Sequence, residues 1–280
     1  MEGSAIWGEF PAFIGATVAA ELNRPGQSAS VQRDLDAFLA SYAGMQGNPA
    51  SPVWLCEATS RLAGSPIAAS PMPVPSPVVW DQAFRQHNRG EMPKWQSHQK
   101  IARILAAADA FASDSAAPDW KDYFEERLYG PAGNEFWLSL YPALARPEDS
   151  ASGRSTPDTF AVPRTLSRYA ALCRSGARFA FVSALAQSMA PKLIVCFGHQ
   201  HVEDFRSAFG FDGIAGEDVI LQPADLPKLL RVYTRGRTKL VIVPLLGGRD
   251  GINSDVLQIS LGRYIGRLLS AGAASMRAVP

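Results

Sequence analysis

The stretch Ser51-Pro-Val-Trp-Leu-Cys-Glu-Ala-Thr-Ser-Arg-Leu-Ala-Gly-Ser-Pro66 sets the reading of the chain. An apolar run, Val53 to Cys56, has the length and composition of a strand buried on both faces. It breaks at Glu57 into small residues that lead on to the alternating Pro71, Pro73, Pro75 and Pro77, predicted as part of a surface loop over 64–78. Two later segments repeat the shape. Leu193-Ile-Val-Cys-Phe197 stops at Gly198-His-Gln-His201, and Lys239-Leu-Val-Ile-Val-Pro244 stops at a glycine-rich polar loop, 245–254. Doubly buried strands that end in polar loops imply a parallel α/β sheet, whose ligand crevice lies at the carboxyl ends of its strands.

Between these segments, Glu135-Phe-Trp-Leu-Ser-Leu-Tyr-Pro142 reads as another core strand. Helical spacing of apolar residues is present over 30–45, 96–112, 120–128, 202–209 and 255–269. Residues 165–189 read as one long helix or a broken pair, 146–158 as a loop, and 212–238 as an excursion without assigned structure. The expected fold class is α/β, a three-layer α/β/α arrangement around a central, mainly parallel four-stranded sheet, with strands at 53–56, 136–140, 193–197 and 240–243. A single domain over 1–280 is expected, with 1–50 an arm and helix packed on it.

With 27 basic and 26 acidic residues the chain is close to neutral, so a nucleic-acid partner would require a local basic rim. The three cysteines, Cys56, Cys173 and Cys196, have no paired spacing and read as small buried hydrophobes of a reducing compartment. Neither a signal-length apolar run near the N-terminus nor a membrane-length one elsewhere is apparent, which gives cytoplasmic as the expected location. Phosphate-loop, dinucleotide, nucleophile-elbow and zinc-protease patterns are missing from the sequence, and no metal or cofactor is expected. The His199 and His201 pair is read as a surface or helix-capping feature.

Glu57 carries more information. A carboxylate directly after a buried strand is costly unless it opens onto a solvated site, caps a helix or joins an ion pair. Arg249-Asp250 and Asn253-Ser254 make a second polar cluster, with helix capping by Asn253 or Ser254 as its structural alternative. Tyr141 ends its strand where a ring could stack on a ligand, although Phe136, Trp137 and Tyr141 also suit a core.

The succession of a strand ending in Cys56-Glu57-Ala58, a strand ending Leu138-Ser-Leu-Tyr-Pro142, the run Pro191-Lys-Leu-Ile-Val-Cys-Phe-Gly198 and a last strand with a polar glycine loop resembles the uracil-DNA glycosylase superfamily. The likeness spans roughly residues 50–270 and lies nearest a divergent bacterial branch. In that superfamily the first loop holds the acid or amide that positions water, so Glu57 is the implied counterpart, with Asp250 and Asn253 as further catalytic candidates. Ser139 stands where the family usually has an asparagine that reads the base, and Gly247-Gly-Arg-Asp-Gly-Ile-Asn-Ser254 replaces the family's His-Pro-Ser. These departures imply a base other than uracil, with glucosylated hydroxymethylcytosine of phage DNA as the candidate and antiviral defence as the setting.

The resemblance further implies a monomeric DNA hydrolase that flips the base out, with Ser139 and Tyr141 contacting it and Arg61, Arg249 and Arg235 on phosphates. Residues 245–253 would supply the wedge. A non-catalytic nucleic-acid-binding module of the same fold, an ordinary uracil repair enzyme and an unrelated hydrolase of free nucleosides are the alternatives.

Overall fold

The structure is a computed structural model that describes residues 28–59, 72–115, 119–142, 166–223 and 227–274. In chain order the elements are α1 (Ser28–Leu39), β1 (Met45–Gly47), β2 (Val53–Thr59), α2 (Gln82–Asn88), a 3-10 turn (Met92–Lys94) and α3 (Gln96–Ser113). A short helix, α4 (Trp120–Asp122), runs into a π-helical turn (Tyr123–Arg127) and is followed by β3 (Glu135–Tyr141). Then come α5 (Leu166–Ser175), α6 (Ala177–Met189), β4 (Leu193–Phe197), a 3-10 turn (His199–His201) and α7 (Val202–Phe209). The last elements are β5 (Gly216–Leu221), β6 (Lys228–Arg235), β7 (Thr238–Val243) and α8 (Asp255–Ala274).

These strands form one seven-stranded sheet of order β1-β3-β2-β4-β7-β6-β5. The four expected strands are its inner members, mutually parallel in the order β3-β2-β4-β7, with their carboxyl ends at one edge. The expected four-stranded sheet is therefore corrected to seven. β1 adds antiparallel to β3, and the 212–238 excursion is an antiparallel pair, β5 and β6, added to β7. Exposure explains why β5 is missing from the expectation, because it is exposed along most of its length and lacks the apolar run that marks a doubly buried strand.

Strand pairing also carries β2 beyond the break read at Glu57. The ladder continues through Glu57, opposite Ser139 on one side and Phe197 on the other, and Thr59 still pairs with Tyr141. Backbone hydrogen bonds to two neighbours hold the chain extended whatever the side chain. Helix α5 and helix α6 settle the other ambiguity as a broken pair. The break falls at Gly176, where a Cβ would lie 2.7 Å from the Leu172 carbonyl oxygen.

Alternation along the strands divides the core between two faces. Trp54, Cys56, Phe136, Leu138, Ile194, Cys196, Leu240 and Ile242 pack with α1, α5, α6 and α7. Val53, Leu55, Trp137, Val195, Phe197, Val241 and Val243 pack with α3 and α8. All three cysteines are buried and free, as expected of small hydrophobes. No helix among the described residues is long and apolar enough to cross a membrane.

Helices α3 and α8 approach closely because α8 presents Gly262 and Gly266 to an alanine-rich face of α3. A Cβ at Gly262 would run into the Ile104 carbonyl oxygen, and one at Gly266 would lie 2.6 Å from that of Ala108. Gly262→Val is expected to push the helices apart and cost about 2–3 kcal/mol, a typical penalty of overpacking. Gly90, with nothing within 4 Å of its would-be Cβ, is the control. In guanidinium titrations, Gly262→Val should lower the midpoint and Gly90→Ala should leave it unchanged.

Candidate functional site

The strand order locates the crevice. From β2 the chain goes to β3 on one side, and from β4 it goes on to β7 on the other, so the connections diverge between the carboxyl ends of β2 and β4. Ligands of open parallel sheets bind at such a point. Glu57, half-buried, stands there in register with the last residue of β4. Val243 ends β7 opposite Phe197, so the 245–254 loop rises from the same edge, about 10 Å from Glu57 at the usual strand spacing.

That loop is a braced structure. The Ile252 N–H donates to the Leu245 carbonyl at 2.8 Å and closes its base. Lys100 donates from α3 to the carbonyl of Leu246 at 2.8 Å and to the Asn253 side chain at 3.2 Å. Lys228 of β6 donates to the Asp250 carbonyl at 2.9 Å. Asn253 turns its own amide back onto the Gly248 carbonyl, and the Ser254 hydroxyl accepts from the Leu257 N–H at the start of α8. The capping alternative thus describes Ser254, and Asn253 serves the loop. The side chains of Arg249 and Asp250 stand exposed at its tip.

The remaining candidates fall differently. Ser139 is fully buried, and the chain at Gly44 runs so close beside it that a Cβ added there would lie 3.2 Å from the Ser139 Cβ. Tyr141 is 3% exposed and packs in the core, stacked on Phe179 at 6.2 Å with His201 edge-on at 6.2 Å. Neither Ser139 nor Tyr141 offers a face to a base, which corrects both assignments. The physical reason is that β3 lies inside the sheet, where Tyr141 is covered by α5 and α6 and Ser139 is approached closely by the chain at Gly44. Arg235 is also displaced. β6 runs antiparallel to β7, and Arg235 pairs with Thr238 at the amino end of the inner strands, away from Glu57, with its guanidinium on the Gly210 carbonyl at 2.5 Å. Arg61 and the 146–158 loop lie outside the described residues, as do 1–27 of the arm and 64–71 of the first loop.

The Tyr141 hydroxyl faces a charged cluster. Arg174 grips Asp204 through two bonds of 2.5 and 2.9 Å, and His201 lies 3.5 Å from the same carboxylate. Burial opposes ionisation of Asp204, but its hydrogen-bonding neighbours Arg174, Tyr141 and His201 outweigh it and hold the carboxyl below its usual range. Burial first, and this carboxylate second, raise the Tyr141 phenol. Among the described residues, no group of three His, Cys, Asp or Glu side chains could hold a metal ion.

Strand alternation turns Glu57 toward the face of Leu55, Trp137 and Phe197, and that face hides a polar cluster the sequence reading missed. Glu135, fully buried at the start of β3, accepts from the Tyr123 hydroxyl at 2.9 Å and from the Tyr129 N–H at 2.6 Å. The Tyr129 hydroxyl meets His98 Nδ1 at 3.4 Å, and both rings pack around Trp80. His98 is 1% exposed, and its Nε2 has no hydrogen-bond partner. A glutamate opening an otherwise apolar strand was the one visible sign of this cluster.

Burial lowers the His98 pKa to about 3. In the unfolded chain it titrates near 6.5, so between these values the unfolded state binds the extra proton and stability falls as pH falls. The largest slope from this group is about 1.4 kcal/mol per pH unit. Glu135 acts oppositely: burial raises its pKa, so its protonation favours the folded state as pH falls. We expect unfolding free energy measured from pH 7 to pH 5 to decline in the wild type and to flatten in His98→Asn, which keeps a polar atom toward Tyr129 but cannot titrate.

Comparison of the chain with family models, with curated proteins and with solved structures gives no match.

Proposed function

We propose that the protein is a DNA N-glycosylase that hydrolyses the bond between deoxyribose and a flipped pyrimidine, leaving an abasic site. The observation that carries this reading is the position of Glu57, a carboxylate at the carboxyl end of the first parallel strand, at the divergence of the connections. The inner order β3-β2-β4-β7, with helices on both faces, is read here as the three-layer core of the uracil-DNA glycosylase type. The segments around Glu57, Ser139 and Gly198 that carry the sequence resemblance meet at that same edge.

The chemistry needs few groups. As the N-glycosidic bond breaks, its electron pair leaves with the base and the sugar becomes oxocarbenium-like. A carboxylate beneath the sugar stabilises that charge, and Glu57 in the same place accepts a proton from the water that adds to C1′. The departing base takes up a proton, so the net reaction is addition of water. Arg249, exposed on the braced loop at the same edge, is the cation placed to meet a phosphate.

Which pyrimidine is released is decided by experiment. Duplexes carrying uracil, hydroxymethylcytosine or glucosylated hydroxymethylcytosine at one position are incubated with the protein and then cleaved with alkali at abasic sites. Strand breaks are expected at the glucosylated base in excess of those at uracil. Uracil released as well or better returns the protein to ordinary repair, and no breaks from any duplex favour a DNA-binding module without chemistry. The buried Ser139 and Tyr141 and the engaged amide of Asn253 are the observations on the side of that second reading.

A further inference from the structure

With Ser139 and Tyr141 enclosed, the glycosylase reading lacks a group that recognises the base. We propose that Gln200, together with His199, forms a nucleobase-edge binding site at the carboxyl end of β4; the inference rests on that reading and supplies its missing specificity element. The backbone makes room for it. Gly198 directly follows Phe197, the register partner of Glu57, and has φ of +118°, a conformation side-chain-bearing residues rarely adopt. A Cβ there would lie 3.2 Å from Nε2 and 3.3 Å from Oε1 of Gln200, and 3.0 Å from a methyl group of Leu245. The carboxamide therefore lies against the bare Cα of Gly198. Gln200 is exposed, and its amide has no protein partner among the described residues.

His199 complements it. Its Nε2 lies 3.0 Å from the Leu229 carbonyl, which can only accept, so Nε2 carries the proton. Burial lowers the pKa of this ring, and the neutral imidazole then keeps Nδ1 as an acceptor. Both residues line a hollow of about 280 Å³ with Arg174, His201, Glu203 and Asp204, close to the lower limit for small-ligand sites. Phosphate suits this hollow poorly: Arg174 is already engaged by Asp204, and two carboxylates stand beside it. A neutral planar heterocycle with adjacent donor and acceptor matches a carboxamide, which pairs with nucleobase edges through two hydrogen bonds.

The test is titration of the intact protein with free cytosine, hydroxymethylcytosine and uracil, read by ligand-observed NMR, for the wild type, Gln200→Ala and Gln200→Glu. The wild type should bind at least one base. Gln200→Ala should weaken that binding about 5- to 150-fold, the range of one bidentate pair. Gln200→Glu, which loses the donor, should change the order of preference among the three. The thermal midpoint should not move for either variant, since the side chain is exposed. Equal affinity in Gln200→Ala, or no binding of any base by the wild type, overturns the proposal. Base binding lost in Gln200→Ala while no duplex yields abasic sites leaves this site standing and removes the glycosylase reading. Base release from DNA with unaltered affinities in Gln200→Ala does the reverse.

Discussion

Glu57→Gln is expected to fold and bind DNA like the wild type and to lose base release by at least about 100-fold, the usual effect of removing a positioned acid–base group. The amide has nearly the same shape, and β2 is held by its ladders to β3 and β4. What changes is charge: a carboxamide neither stabilises a cationic sugar nor takes a proton from water. The measurement pairs an alkaline-cleavage time course with a DNA-binding titration of the same preparation. Release at the wild-type rate with intact binding would mean that Glu57 belongs to the sheet edge and not to the reaction. Loss of both properties would place its role in holding the edge together.

The inner sheet was legible because four strands buried on both faces must be apolar throughout, and Val53 to Cys56 or Leu193 to Phe197 can hardly be anything else. Their common edge followed from parallel pairing, and with it the juxtaposition of Glu57 and the 245–254 loop. The outer strands lack such a run. β1 is buried but only three residues long, too short to show a pattern, and β5 exposes Glu217, Asp218 and Ile220. Arg235 was misplaced as a consequence, since the end of the sheet on which it falls depends on the direction of β6.

The site residues show a different limit. Sequence order brought Ser139 and Tyr141 to the right edge, but the burial of Tyr141 depends on α5 and α6 and that of Ser139 on the chain near Gly44, which local pattern does not encode. Asn253 suits catalysis or a helix cap by sequence, yet Lys100, 153 positions earlier in the chain, engages it. His98 and Tyr129 meet each other directly and pack around Trp80, whose own indole is fixed by Gln46 at 2.7 Å. Such long-range polar contacts have no periodicity.

The second large effect concerns Arg178, whose substitution by Met is expected to cost about 3–5 kcal/mol, on the scale of removing one partner of a buried charged interaction. Arg178 is fully buried on α6, and among the described residues no carboxylate meets its guanidinium. It donates instead to the carbonyls of Ser41 at 2.9 Å, Ala43 at 3.0 Å, Ser139 at 2.5 Å and Leu140 at 3.4 Å. Burial lowers its pKa to about 10, which still leaves it charged at neutral pH. Five donors in one plane can serve four carbonyls from two separate segments, whereas an ammonium has three and a thioether none. Methionine would fill much of the space but leave those oxygens short of a buried partner, each loss counting about 1–3 kcal/mol where water cannot enter. Stabilities of small domains are only about 5–15 kcal/mol, so Arg178→Met should approach the unfolding threshold at 37 °C. Urea denaturation should rank the wild type above Arg178→Lys and that above Arg178→Met. The clamp joins the carboxyl end of β3 to residues 41–43, so loosening it should also disturb the edge where Glu57 pairs with Ser139. A methionine variant within about 1 kcal/mol of wild type would show that water replaces the guanidinium, a substitution that fully buried carbonyls should not permit.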